Sequence, residues 1–336
     1  MRESIGGLTK DFIAYADSLG TQRCIILSPG QIEQLRSQAT EEVKGRFDLL
    51  DSDDFKELDV AVIVGVFGYD DIFADFGNRE PGIGLTGIHQ NYWQIADKIG
   101  KELLSFLKLK GFKAKFNGEG ILPIKHVLNR LRIGQYGKNS LIYIKDYGSY
   151  NDNWVELFTN APLQPIKRGV AKNLEGFSMC DKCNACMTRC PTRAIYEPYK
   201  VDLNKCICNL THRVDRVPKD LFDKVDNWIW GCDKCQNVCP GNAKVTPRKR
   251  HPDASISHPG PGGRLPPAHK NPFPKLAMEL VEEYDTKYLQ NVLIALGNSG
   301  KSEDIEKIEV FSRTKKGLEL TEYCEYAMDR VKNRRE

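Results

Sequence analysis

Cys180-Asp181-Lys182-Cys183-Asn184-Ala185-Cys186-Met187-Thr188-Arg189-Cys190-Pro191 and, further along, Cys232-Asp233-Lys234-Cys235-Gln236-Asn237-Val238-Cys239-Pro240 decide how this chain is read. The first run spaces its cysteines by two, two and three residues, the second by two and three, and each ends in proline. Three before Cys232 stands Ile229, so the second run lacks one thiol locally. Cys206, in Asn204-Lys205-Cys206-Ile207-Cys208, can supply it. Each iron of a cluster wants one soft thiolate, and a tight loop delivers three of them to one centre. The proline after each run ends the loop and turns the last cysteine away.

This is the spacing of bacterial two-cluster ferredoxins, in which the fourth cysteine of a run serves the other cluster. It predicts two 4Fe–4S clusters, one on Cys180, Cys183, Cys186 and Cys239, the other on Cys190, Cys206, Cys232 and Cys235. Cys208 is an alternative to Cys206. Two structural zinc sites are the competing reading, since Cys-x2-Cys pairs also suit tetrahedral zinc, but a zinc ribbon has no need of the three-residue step and the proline. Disulfides would require an oxidising compartment, for which the chain gives no sign. Cys24 and Cys324 read as small buried hydrophobes. The motif alone says that electrons pass through.

The 336 residues allow two or three domains with a sizeable core, and the net charge of +4 is mild. No apolar run is long enough to span a bilayer. The start, Met1-Arg2-Glu3-Ser4-Ile5-Gly6-Gly7, has neither a signal-peptide core nor paired arginines, so a cytoplasmic location is expected, with no membrane partner. Helices are expected over 8–19, 31–47, 86–110 and 123–133. Strands are expected over 24–27, 60–67, 112–116, 140–144 and 154–158, with a loop over 68–85. That alternation argues an α/β (α+β) layer fold for residues 1–165. No Gly-x-Gly-x-x-Gly follows a strand and no Walker A motif is present, so a nucleotide site has no support. The cysteine module fills 166–243. Residues 244–275 hold close to half of the chain's 17 prolines and read as a basic linker. Residues 276–336 read as a short helical segment, with helices over 276–284, 287–296 and 319–331 around Gly297-Asn298-Ser299-Gly300. It is like one helical hairpin of the HEAT type.

Three pieces then coincide in order: Ile133-Gly134-Gln135-Tyr136-Gly137-Lys138-Asn139-Ser140 with Tyr147-Gly148-Ser149, the cysteine module, and Asn291-Val292-Leu293-Ile294-Ala295-Leu296-Gly297-Asn298-Ser299-Gly300. Together they resemble the epoxyqueuosine reductases, cobalamin-dependent iron–sulfur enzymes of tRNA modification. The first two pieces are also similar to reductive dehalogenases, while the third favours the epoxyqueuosine branch. The resemblance implies an N-terminal domain that holds cobalamin base-off beside one cluster. An external low-potential donor, a ferredoxin or flavodoxin, would reduce the clusters, and these would bring Co(II) to Co(I) for two-electron reduction of an epoxide on tRNA or a related electrophile.

Carried over residue by residue, Gly137-Lys138-Asn139 matches the family's segment at the corrin, and Gly134 and Gly137 would let backbone approach a flat macrocycle. Lys138 could neutralise a corrin side chain or polarise substrate; an ordinary turn with a solvated lysine is the plain alternative. His89 and Tyr92 lie near a family segment rich in Tyr and His and would line the cofactor pocket. The family's acid, an aspartate ahead of the next helix, falls at Gly118 or Glu119 here. Glu119 is the candidate general acid if burial raises its pKa, with Tyr136 as the alternative by analogy with the dehalogenases. The basic stretch 244–275 and Lys332-Asn333-Arg334-Arg335 could meet tRNA phosphates or simply be solvated. Two other functions compete: a dehalogenase-like enzyme on a small molecule, and an electron-transfer protein without a substrate of its own.

Overall fold

The computed structural model describes residues 5–69, 84, 90–118, 120–151, 153–249, 251–253 and 276–334. The front of the chain forms α1 (Ile5–Ser18), β1 (Arg23–Leu27), α2 (Pro29–Ser37), α3 (Glu41–Phe47), β2 (Val60–Gly65), α4 (Gln90–Leu109), β3 (Ala114–Asn117), α5 (Ile124–Arg130), β4 (Gly134–Tyr136), β5 (Ile142–Ile144) and β6 (Trp154–Thr159). The expected single helix over 31–47 is two helices. Ser28 caps α2 in a capping box with Gln31, and the extended Thr40 (φ −68°, ψ 160°) starts α3 afresh.

Four strands make one sheet in the order β1-β2-β6-β3. Every pairing is antiparallel, with Ile25 opposite Ile63, Val62 opposite Leu157 and Phe116 opposite Leu157. The layer expectation therefore resolves to α+β. Helices cover both faces, but no parallel βαβ crossover occurs among the described residues. Covering on both faces explains why β2 reads as an unbroken apolar run. Val62, Val64, Val155 and Leu157 pack on one side with Phe12 of α1 and Ile99 and Leu103 of α4. Ala61, Ile63 and Phe158 pack on the other with Leu35, Phe47, Val127 and Leu128.

The cysteine module adds α6 (Ala185–Arg189), the hairpin β7 (Ile195–Glu197) and β8 (Lys200–Val201), α7 (Ile207–His212), α8 (Phe222–Val225) and α9 (Lys234–Asn237). The C-terminal part is α10 (Thr286–Ser299), α11 (Ile305–Ser312), α12 (Lys315–Glu319) and α13 (Thr321–Lys332). Of the helix expected over 276–284, only a 3-10 turn at Leu276–Glu279 forms, and α11 was not anticipated. From Lys287 to Gly297 every residue of α10 is buried, because the helix lies between the module and α13. Gly297 is required there: an added Cβ would run into the Tyr326 ring. Leu289, Val292 and Leu293 of α10 share one continuous core with Ile207, Trp228 and Trp230 of the module and with α1, α4 and the sheet.

The stretch read as a linker begins packed. The His251 ring contacts the Leu19 carbonyl (3.1 Å), Lys98 pairs with Asp253 (2.7 Å), and Arg248 lies over the Tyr147 ring at 3.6 Å. Residues 254–275 lie outside the described ones. No helix among the described residues is long and apolar enough to cross a membrane.

Candidate metal centres and their surroundings

The hairpin of β4 and β5 delivers the first cysteine loop. Segment 175–177 runs alongside β4, with Tyr136 N–H donating to Glu175 O (3.0 Å) and Phe177 N–H to Tyr136 O (2.7 Å). Cys180 follows in a 3-10 turn. The turn of the same hairpin, closed by Gly137 N–H to Leu141 O (2.8 Å), carries Lys138 and Asn139 to the cysteines. One cavity is lined by Cys180, Cys183, Cys186 and Cys239 together with Lys138, Asn139 and Tyr143. A second is lined by Cys190, Cys206, Cys232 and Cys235, with Cys208 at its wall and aliphatic Leu141, Ile195, Val201 and Ile207 around it.

All 11 cysteines are free thiols. Among the described residues no three His, Cys, Asp or Glu groups stand close enough to hold a single ion; the eight thiols surround two spaces instead. Burial pushes up the thiols of Cys180, Cys186 and Cys206, and those of Cys232 and Cys235 further still. Such thiols do not ionise unaided near neutral pH, whereas iron binding deprotonates them. The backbone is already arranged for the charge. N–H groups of Lys138, Met187, Asn209 and Lys234 face the sulfurs of Cys180, Cys186, Cys206 and Cys232. Ala194 N–H donates to Cys190 Sγ (3.2 Å). Four soft donors with amide hydrogens directed at their sulfurs are what a 4Fe–4S cluster takes, so the residues fit that group.

The ring of Tyr143 stands between the first cavity and an open cleft of about 650 Å³ lined by Arg132, Gln135, Lys145, Leu174 and Glu175. Lys138 is committed to the cysteine loop: its Nζ donates to Cys183 O (3.1 Å) and Asn184 Oδ1 (2.9 Å). Asn139 Nδ2 donates to the Tyr143 hydroxyl (3.2 Å). Gly134 is buried on β4, and a Cβ there would meet Ile142. Tyr92 is buried on the α4 side of the sheet, while the hairpin packs with the core on the other side. His89 lies outside the described residues. The described residues alone do not outline a cradle for a corrin.

Of the two acid candidates, Glu119 also lies outside the described residues. Its neighbours are held firmly. Glu156, on β6 and fully buried, accepts through Oε2 from Ile121 N–H (2.6 Å) and Leu122 N–H (2.9 Å). Arg46 donates to the Gly120 and Ile121 carbonyls (3.0 and 3.2 Å). Burial pushes the Glu156 carboxyl up to about 7, against the pull of the two amide hydrogen bonds and of Arg46. Tyr136 is half-buried, and burial raises its hydroxyl further above neutral pH, so it stays protonated. Sequence reading missed Glu156 and Tyr143. A lone carboxylate inside the apolar run Trp154-Val155-Glu156-Leu157-Phe158 was the available signal for the first; Tyr143 offered none.

The remaining pieces singled out in the sequence tie the module down. Ser149 N–H donates to Asn242 Oδ1 (2.9 Å) and its hydroxyl to Gln236 Oε1 (2.8 Å). Asn291, buried on α10, donates to the Thr211 and Ile229 carbonyls (both 3.0 Å), just ahead of Cys232. One helical stretch on, Asn298 donates to the Phe222 and Asp226 carbonyls (2.7 and 2.9 Å).

These features define a class: an α+β protein whose hairpin and C-terminal helix clamp an iron–sulfur module. The family described as the 4Fe-4S double cluster binding domain matches residues 179–242. Epoxyqueuosine reductase of Shewanella oneidensis is 32% identical over 233 residues, 62% of this chain and 53% of that protein. The enzyme of Escherichia coli is 36% identical over 149 residues, 43% and 36% of the two chains. Among solved structures, epoxyqueuosine reductase from Streptococcus thermophilus superposes with a TM-score of 0.67 at 17% identity, covering 97% of this chain and 91% of that one. An epoxyqueuosine reductase crystallised with a tRNA-TYR epoxyqueuosine-modified tRNA stem loop gives 0.62 at 20% identity, over 98% and 100%. The chain is similar in sequence to the epoxyqueuosine reductases and has their fold. Its match spans about half the length of the Shewanella protein.

Proposed function

We propose that this protein is an iron–sulfur reductase of the epoxyqueuosine reductase type, opening an epoxide on tRNA with two electrons delivered through its clusters. The observation that carries the reading is the gathering of eight thiols into two cavities, the first bordered by the Gly137-Lys138-Asn139 turn and adjoining an open cleft past Tyr143. In this reading Cys180, Cys183, Cys186 and Cys239 hold one cluster, and Cys190, Cys206, Cys232 and Cys235 the other. Cys208, at the wall of the second, is the spare.

The chain's own part is to hold and position. Lys138 fixes the carbonyl of Cys183, and Ser149 and Asn291 fix the second run. Glu156 and Arg46 clamp the backbone that follows Glu119, the proposed acid to the leaving oxygen. Tyr136, protonated at neutral pH, is the alternative donor. The cobalamin that the resemblance implies would supply low-valent cobalt. A low-potential ferredoxin or flavodoxin is the proposed electron source, with tRNA as the bound substrate and residues 244–275 and 332–335 as its basic contacts.

The test is anaerobic reconstitution followed by iron counting, electron paramagnetic resonance with added cobalamin, and turnover on an epoxyqueuosine-modified tRNA stem loop. Eight irons, a base-off Co(II) signal and conversion to queuosine are expected. Zinc in place of iron, or iron with no conversion under competent donors, overturns the reading.

A further inference from the structure

Tyr143 is placed with unusual care for a residue with no assigned task. Its ring stacks on Phe177 with 4.7 Å between centroids and 8° between planes. Gly137 leaves the space the ring occupies, since a Cβ there would collide with it. Asn139 holds its hydroxyl. Asn139 Oδ1 accepts from Leu141 N–H (3.3 Å), which fixes the amide so that Nδ2 faces the tyrosine and donates to its oxygen (3.2 Å). A hydroxyl has a single hydrogen to give and lone pairs to fill. With the amide occupying the oxygen, that hydrogen is directed elsewhere, and Cys239 shares the wall of the same cavity with the ring.

We propose that Asn139 and Tyr143 form a relay that tunes the first cluster: Asn139 orients the Tyr143 hydroxyl, and the hydroxyl donates to the Cys239 thiolate. This rests on the cluster assignment above and not on the substrate. When the cluster takes one electron from its donor, going from the 2+ to the 1+ state, its sulfurs gain charge. A donated hydrogen bond then strengthens, no proton is transferred, and the midpoint rises. Asn139 is here a positioning residue, and Tyr143 acts on the cofactor through its ligand.

The reconstituted full chain is titrated with dithionite while both clusters are followed by electron paramagnetic resonance. Tyr143→Phe lowers one of the two midpoints by about tenfold in the reduction equilibrium, about 59 mV for one electron, and leaves the other in place. Asn139→Leu moves the same wave in the same direction, and the double variant moves it no further than Tyr143→Phe alone. Should Tyr143→Phe fail to hold iron, 3-fluorotyrosine at position 143 keeps the ring and makes a stronger donor, and the same midpoint rises. A structural role alone would leave that shift absent. Both waves unmoved in Tyr143→Phe and in the fluorotyrosine protein, or both moved equally, overturns the relay. Absence of iron from the wild type instead overturns the cluster assignment, so the two failures are distinct.

Discussion

The two thiol cavities use the same ligand chemistry and are held by different parts of the chain. The first leans on a local hairpin. Its lining includes Lys138, Asn139 and Tyr143, all from one turn and the strand after it, beside Phe177 and Met179. The second mixes aliphatic Leu141, Ile195, Val201 and Ile207 with Lys125, Lys234 and Gln236, and is secured from a distance, by Asn291 on a helix some 80 residues away from the Thr211 carbonyl it holds. Cys180 on the first cavity is buried, whereas Cys232 and Cys235 on the second keep part of their surface open. The difference teaches that a cluster motif fixes the ligands, while the polarity and rigidity around each site, and with them the potential, come from whatever the fold packs alongside.

The sharpest way to break the comparison is to cut one ligand from each cavity. Cys190→Ser, though in the first run, should empty the second cavity, and Cys239→Ser, though in the second run, should empty the first. Each loses about half the iron, and the surviving resonance differs between them. Cys206→Ser should behave like Cys190→Ser and Cys208→Ser like wild type; the reverse would exchange those two cysteines. Next comes Asn291→Ala, which strands two buried carbonyls. It should cost roughly 2–4 kcal/mol and make the second cluster the first to be lost to a chelator, with the first cluster unaffected. Loss of both at equal rates would deny the separate clamps.

A third test concerns pH, where the two regions pull in opposite directions. Glu156, in the front region, has its folded pKa raised from 4.5 to about 7. The folded state therefore binds its proton more tightly, so its contribution is full below about 4.5 and is lost as pH climbs to 7. His212, buried beside Trp230 in the module, is pushed by burial from 6.5 down to about 4. Its contribution is present above about 6.5 and is lost as pH falls toward 4. Each amounts to up to about 3 kcal/mol, and they offset one another in the wild type. Glu156→Gln should uncover a stability that rises with pH between 5 and 6.5, and His212→Phe one that falls, in thermal melts across that range. Parallel curves for the wild type and both variants would rule out these shifts. The smallest effect is expected from Lys138→Met, about 1 kcal/mol, seen as faster exchange of the Cys183 loop amides with no change at the second cavity.

Much of this was legible beforehand. The cysteine spacings anticipated which thiols gather around each cavity, because a cysteine loop is a local object whose geometry is written in consecutive residues. The apolar run at Val60 announced a strand buried on both faces. The Gly137-Lys138-Asn139 turn and the Asn291 helix stood out as motifs, but their contacts were not readable, since Lys138 and Asn291 act on carbonyls that are distant in sequence. Glu156 was overlooked because a lone carboxylate is ordinarily exposed, and only burial beneath a loop made it a clamp.

By itself, then, the amino-acid order determined the two groups of thiols, the layered mixture of helices and strands, and the resemblance carried by its motifs. The antiparallel sheet, the joining of the C-terminal helices to the module's core, and the placing of Tyr143 on the wall of the first cavity were decided by tertiary structure. The reason is physical. Ligand spacing and hydrophobic period are short-range properties, whereas strand direction and side-chain partners depend on which buried surfaces and unpaired polar groups meet once the chain has closed on itself.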